Sequence, residues 1–138
     1  DGGFWDVLST SSKPIVASHS NARALCEHPR NLTDDMIRAL AEKGGVIGLN
    51  FYPYFVNPVG HAFVSDLAEH ALHLFYIGGE DSVAIGTDFD GFDDGKLELT
   101  DIGQIDRLYA ELQKRGFTER QLEKIWSKNI LRIVKDVL

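Results

Sequence analysis

Three side chains in this sequence could do chemistry, and two of them stand where an apolar run gives way to polar residues. His19 follows the run Ile15-Val16-Ala17, inside Ser18-His19-Ser20-Asn21. An imidazole at a strand end can bind a metal ion through one ring nitrogen if an acceptor holds the other. Arg30 follows Pro29 in a loop. A guanidinium makes two parallel charge-assisted bonds to a carboxylate, so Arg30 is a candidate clamp for one. Asp88 ends the run Val83-Ala84-Ile85-Gly86-Thr87 and suits general acid–base work. Asp90 is its rival, although a place in a glycine-bearing loop fits a turn residue better. Residue type alone leaves His19 open as a packed strand-end histidine and Arg30 as a surface or helix-capping arginine.

The elements that must position these groups follow from periodicity. Ile15–Ser18, Val46–Asn50 and Val83–Asp88 are continuous apolar runs ending in polar residues, as expected of parallel strands buried on both faces. Phe4–Ser9 reads as a short helix with Phe4, Val7 and Leu8 on one face. Thr33 is an N-cap with Asp34 and Asp35 in the first turn, and the helix runs to about Lys43 with Met36, Ile37, Leu40 and Ala41 facing in. Gly44-Gly45 ends it. Phe51 to Gly60 is a long aromatic loop in which Tyr52 and Tyr54 can line a pocket. Ala62–Ile77 is a helix with Phe63, Leu67, Ala71 and Leu74 at helical spacing. Asp101–Arg115 is another, with Ile102, Ile105, Leu108 and Leu112 facing in. Thr118 and Gln121 form a capping box, and Asn129 caps a last helical turn.

The layout is strand–loop–helix three times over, and polar residues (His19, Asn50, Asp88) mark all three strand ends. That end carries the chemistry in a (β/α) barrel and the ligand in an open doubly wound sheet. Three parallel strands leave two open edges, and a full barrel needs roughly 250 residues. The 138 residues are therefore a small α/β domain with a further strand, or part of a barrel. Two closing helices after the last strand favour the C-terminal part.

Composition narrows the function classes. The chain is 43% hydrophobic and 25% charged, with 21 acidic against 14 basic residues and a net charge of −7. No basic cluster exists, which argues against nucleic acid as a partner. The single Cys26 fits a reducing compartment and reads as a small buried residue rather than a nucleophile. No apolar run is long enough to span a bilayer. A cytoplasmic address is the expectation, and a start at Asp1 rather than Met reads as processed or truncated. The acidic loop Asp88–Gly95 fails the EF-hand pattern, because Phe92 falls at the third position. His70 and His73 are three apart on an outer helix and read as packing or surface residues. His61 lies in the long loop.

Four motifs taken together are more specific. Ser18-His19-Ser20-Asn21-Ala22, His28-Pro29-Arg30-Asn31-Leu32-Thr33-Asp34, Gly45-Val46-Ile47-Gly48-Leu49-Asn50-Phe51-Tyr52 and Gly86-Thr87-Asp88-Phe89-Asp90-Gly91 resemble the membrane (renal) dipeptidase family. Asn129-Ile130-Leu131-Arg132 is similar to the ending of that family. The resemblance implies an amidohydrolase-like (β/α)8 TIM barrel, with residues 1–138 as the C-terminal portion of its single metallo-dependent hydrolase domain. It implies zinc-dependent hydrolysis of dipeptides whose C-terminal residue is L or D. His19 would be one ligand of a binuclear zinc site, and Arg30, with Asn50 and Tyr52, would bind substrate. Asp88 would take the proton from a metal-bridging hydroxide and hand it to the leaving amine.

The family's His-X-Asp pair, bridging Glu and a further His lie upstream of the matched segment. The partner expected for this chain is thus a missing N-terminal barrel half, with a homodimer possible, and the fragment alone should be inactive. Two other readings remain: a different amidohydrolase-like metal-dependent hydrolase, in which Arg30 has no carboxylate to hold, and a non-catalytic α/β binding module.

Overall fold

The three apolar runs form the centre of the molecule. In a computed structural model describing residues 1–93 and 96–138, they make a three-stranded parallel sheet in the order β1-β2-β3. The strands are β1 (Val16–Ala17), β2 (Val46–Leu49) and β3 (Val83–Ile85). Val16 pairs with Val46, and Ile47 in turn with Val83. All four residues of β2 are buried, because it has a partner on each side. The first strand departs from expectation. Only two residues of it pair, and Val16 is 40% exposed. An apolar run signals a strand, but burial on both faces needs covering layers, and β1 is an edge strand here.

The helices follow their local signals, with departures where a side chain found a better partner. Helix α1 (Gly2–Thr10) begins two residues early and has no fully buried residue. In α2 (Asp34–Glu42), the Thr33 hydroxyl accepts from Met36 N–H, and Met36, Ile37 and Leu40 are buried. Gly44, at φ 75°, turns the chain out of it. The aromatic loop after β2 contains a helical turn, α3 (Pro53–Val56), whose Phe55 and Val56 pack inward. Helix α4 (Val64–Gly78) starts at Val64, since the Asp66 carboxylate accepts from Phe63 N–H at 3.0 Å. Phe63 is 49% exposed rather than part of the buried stripe, which is Val64, Leu67, Ala68, Ala71 and Leu74. Gly79, at φ 85°, ends it.

The C-terminal third shows two more corrections. The helix expected from Asp101 is a 3-10 turn (Ile102–Gln104) followed by α5 (Asp106–Lys114). The Asp101 carboxylate accepts from Gly103 N–H at 2.7 Å, and this turn leaves Ile102 in solvent. Asn129 does not cap a helix. Helices α6 (Glu119–Glu123) and α7 (Asn129–Val137) are joined without a break by a π-helical turn (Lys124–Lys128). The Asn129 amide donates to the Glu80 and Val83 carbonyls, both at 2.8 Å. Arg132 donates to the Gly44 and Asp81 carbonyls. These bonds pin the closing helix to the N-terminal ends of β2 and β3. The capping box of Thr118 and Gln121 is formed as expected.

Candidate active site

Two of the polar residues that end the strands, His19 and Asp88, meet at the C-terminal end of the sheet. His19, Arg30, Tyr52 and Asp88, with Tyr54, Phe55 and Phe92, line a cleft of about 570 Å³. Residues far apart in sequence are thus brought to one place, and Asp88 rather than the more exposed Asp90 lies in it. Asp94 and Gly95, the end of the acidic loop, lie outside the described residues.

His19 is held on both sides. Its Nδ1 is 2.7 Å from the Ser18 hydroxyl, and its Nε2 is 3.1 Å from a terminal nitrogen of Arg30. Arg can only donate, so Nε2 carries the lone pair and Nδ1–H donates to Ser18 Oγ. The height of His19 above the sheet is set by the backbone. The Ser18 carbonyl folds over the next two strands, where a Cβ on Gly48 or Gly86 would overlap its oxygen and stand 2.9 and 3.1 Å from its carbon. Ser18 is therefore the acceptor that a strand-end imidazole requires.

Arg30 reaches the cleft from the loop after β1. Its guanidinium carbon lies 5.7 Å from the centre of the Phe55 ring, a cation–π arrangement. Its backbone N–H donates to His28 Nδ1 at 3.1 Å, and the His28 ring lies 4.5 Å from Phe55. Among the described residues Arg30 is in no ion pair, so its charge is available to a carboxylate. Tyr52 packs edge-on against Phe55 at 4.7 Å and lies 5.1 Å from Phe92, forming an aromatic wall.

Asn50 does not line the cleft. It is completely buried beneath it. Its side-chain Oδ1 accepts from Tyr52 N–H at 2.6 Å, and its side-chain amide donates to the His19 carbonyl at 3.4 Å. Two further buried asparagines complete the layer. Asn21 Oδ1 accepts from Asn50 N–H at 2.9 Å, and its amide donates to the Asn50 carbonyl at 2.8 Å. Asn31 Oδ1 accepts from Asn21 N–H, and its amide donates to the Cys26 and Phe55 carbonyls. Each of the three reaches backbone that no strand or helix satisfies. Sequence reasoning missed Asn21 and Asn31. Both stand in the long connection between β1 and α2, where residue type alone does not separate a buried asparagine from a turn residue.

Two histidines outside the cleft are structural. His70 is buried, accepts from Ala22 N–H at 3.2 Å and lies 2.8 Å from the Val56 carbonyl. Burial lowers its pKa below the ordinary histidine value. His73 bonds Asp34 at 2.7 Å, linking α4 to α2. His61 packs on Phe63, away from the cleft. Burial pushes the Cys26 thiol up, which suits a packed residue and not a nucleophile.

The donor set fits one part of a metal centre. His19 has a single lone pair, on Nε2, which accepts from Arg30 here and would pass to a metal ion only if that bond gave way, and the Asp88 carboxylate lines the same cleft. Among the described residues no group of three or more His, Cys, Asp or Glu side chains could enclose a metal ion.

Known proteins give this arrangement a context. A protein from Klebsiella pneumoniae, described as an uncharacterized protein in the pqqA 5' region, is 41% identical over 138 residues, covering 97% of this chain and 51% of the relative. Dipeptidase ataJ of Aspergillus terreus is 37% identical over 134 residues, covering 96% of this chain and 33% of the relative. The chain spans between a third and about half the length of these relatives. The crystal structure of a metallo peptidase from Rhodobacter sphaeroides, liganded with a phosphinate mimic of the dipeptide L-Ala-D-Ala, superposes with a TM-score of 0.91 at 32% identity. That match covers 99% of this chain and 40% of the other. The three-stranded sheet with its helices is accordingly part of an amidohydrolase-like TIM barrel. The profile of the membrane dipeptidase family (Peptidase family M19) matches residues 1–138, and the chain belongs to that family.

Proposed function

We propose that the protein carrying this chain is a zinc-dependent dipeptidase, and that residues 1–138 are the C-terminal portion of its one barrel domain. The observation that carries the reading is the convergence of His19, Arg30 and Asp88 on a single cleft. Their residue types divide the work of hydrolysing a small substrate with a free carboxylate. Arg30 binds the C-terminal carboxylate of the dipeptide, with Phe55 behind it and Tyr52 as a wall. His19 contributes one zinc ligand through Nε2, its tautomer fixed by Ser18. Zinc, when bound, activates water and polarises the scissile carbonyl. Asp88 accepts a proton on its carboxylate and returns it to the leaving amine. Asn50 acts from below, holding the His19 carbonyl and the Tyr52 N–H in register. The placement of Arg30 in the cleft favours this over an amidohydrolase-like enzyme acting on substrates without a carboxylate.

The test uses the full-length protein. Zinc content and dipeptide hydrolysis are measured for wild type and for His19→Ala, Arg30→Ala and Asp88→Ala. Loss of bound zinc in the first, and of turnover in all three, is expected. Wild-type rates in all three variants would sink the reading. The isolated 138 residues should not turn over dipeptides, since one imidazole cannot fix a catalytic metal.

A further inference from the structure

Asp88 is held in an unusual way. Among the described residues it is the non-glycine residue with a positive φ, 61°, a left-handed backbone that aspartate tolerates better than most side chains. A 3-10 turn follows (Phe89–Gly91), in which Gly91 N–H donates to the Asp88 carbonyl at 2.9 Å. Residues three apart in such a turn eclipse one another. Gly91 therefore lies directly under the Asp88 side chain. A Cβ on Gly91 would overlap Asp88 Oδ1 and stand 2.9 Å from Cγ and 3.2 Å from Oδ2. The three atoms nearest that position all belong to one carboxylate.

We infer that Gly91 is the positioning residue for Asp88: by having no side chain, it leaves the Asp88 carboxylate the space it occupies in the cleft that His19 and Arg30 also line. The inference rests on the reading of Asp88 as the acid–base group. Gly91 itself does not need the left-handed region, so its backbone accepts alanine. What alanine cannot share is the volume of the carboxylate, which is the free end of a short side chain and can rotate away. Asp88 also borders a second cleft, with Thr100 and Asp101, so there is room for it to leave. Substitution at Gly91 thus acts on the position of a charged group and spares the packing of the fold.

The experiment compares Gly91→Ala, Asp88→Ala and the double variant in the full-length, zinc-loaded protein, with L-Ala-L-Ala as substrate. Asp88→Ala should lower kcat by about 10²–10⁴-fold, the usual range for losing a general acid–base group. Gly91→Ala should lower kcat by about tenfold or more, with KM within about twofold and the melting temperature nearly unchanged. In the Asp88→Ala background the Gly91 substitution should add less than about twofold, because the group it displaces is gone. A crystal structure of Gly91→Ala should show the carboxylate rotated from its wild-type place. A wild-type kcat for Gly91→Ala, an equal loss in both backgrounds, or an unmoved carboxylate overturns the inference. If Asp88→Ala itself turns over at the wild-type rate, the acid–base reading falls instead, and the two failures are told apart.

Discussion

The two ends of the sheet use polar side chains in opposite ways. At the N-terminal end Asn129, Arg132 and Glu80 are all committed to the protein. Asn129 and Arg132 are bonded to backbone carbonyls, and Glu80 bonds Arg120 at 2.8 and 2.9 Å and Lys124 at 2.8 Å. Those cations hold the Glu80 carboxyl at about 2, well below the usual carboxylate range. At the C-terminal end the commitment is made one layer down. Asn21, Asn31 and Asn50 satisfy the loop backbones, and the charged groups above them are left over. Among the described residues neither Arg30 nor Asp88 belongs to an ion pair. One end is a clasp and the other a socket, and the difference separates groups that hold the fold from groups that wait for a ligand.

This contrast can be broken by substitution. The largest effect is expected at Arg30. Arg30→Ala in the full-length protein should lower kcat/KM for dipeptides by about 100-fold, the worth of a charge-assisted bidentate bond. The loss should vanish for dipeptides amidated at the C-terminus, and an equal loss for both substrates would remove Arg30 from the carboxylate. Next is Asn50→Ala, which takes their side-chain partner from the part-buried His19 carbonyl and Tyr52 N–H. It should cost about 1–3 kcal/mol in denaturant unfolding and also raise KM, since it supports the socket. Asn129→Ala should cost stability of similar size, about 1–3 kcal/mol, with kcat/KM unchanged. A change in KM there would mean that the two ends are not independent.

The smallest expected effect is a pH dependence from His70. Its folded pKa lies below the ordinary value, chiefly because burial disfavours the charged ring. Below about pH 6.5 the unfolded chain takes up a proton that the folded chain refuses, so stability is full above that pH and falls as acidity increases. Thermal melts of wild type and His70→Gln from pH 8 to pH 5.5 measure it. The wild type should lose more stability on acidification than the variant. Parallel slopes would mean that His70 is not a neutral tie between the loop after β1 and α3.

Local signals made most elements legible before the structure. The Thr33 and Thr118 caps and the buried stripes of α2 and α5 follow from residues within one or two turns of each other. What failed depended on partners distant in sequence. Ile102 fits a helical period, yet the Asp101 side chain bends the chain there. Asn129 looks like a cap until β3 and the turn before it give it two carbonyls, 46 and 49 residues away. In the site, His19, Arg30 and Asp88 stood out because strand ends and residue types are local facts. The His19–Arg30 contact and the asparagine layer did not, because amide side chains carry no periodicity and choose partners across loops.

The Ser18 carbonyl lying across Gly48 and Gly86 has a consequence for sequence drift. A main-chain group, common to every amino acid, sets the level of His19, whereas the two places that receive it tolerate no added carbon. A randomised library selected for activity should therefore return glycine almost alone at positions 48 and 86. Position 18 has a looser demand, since among the described residues its side chain serves the ring nitrogen of His19. It should return serine most often, with threonine beside it, and the variants that lose the hydroxyl should keep the ring at its level while letting it turn.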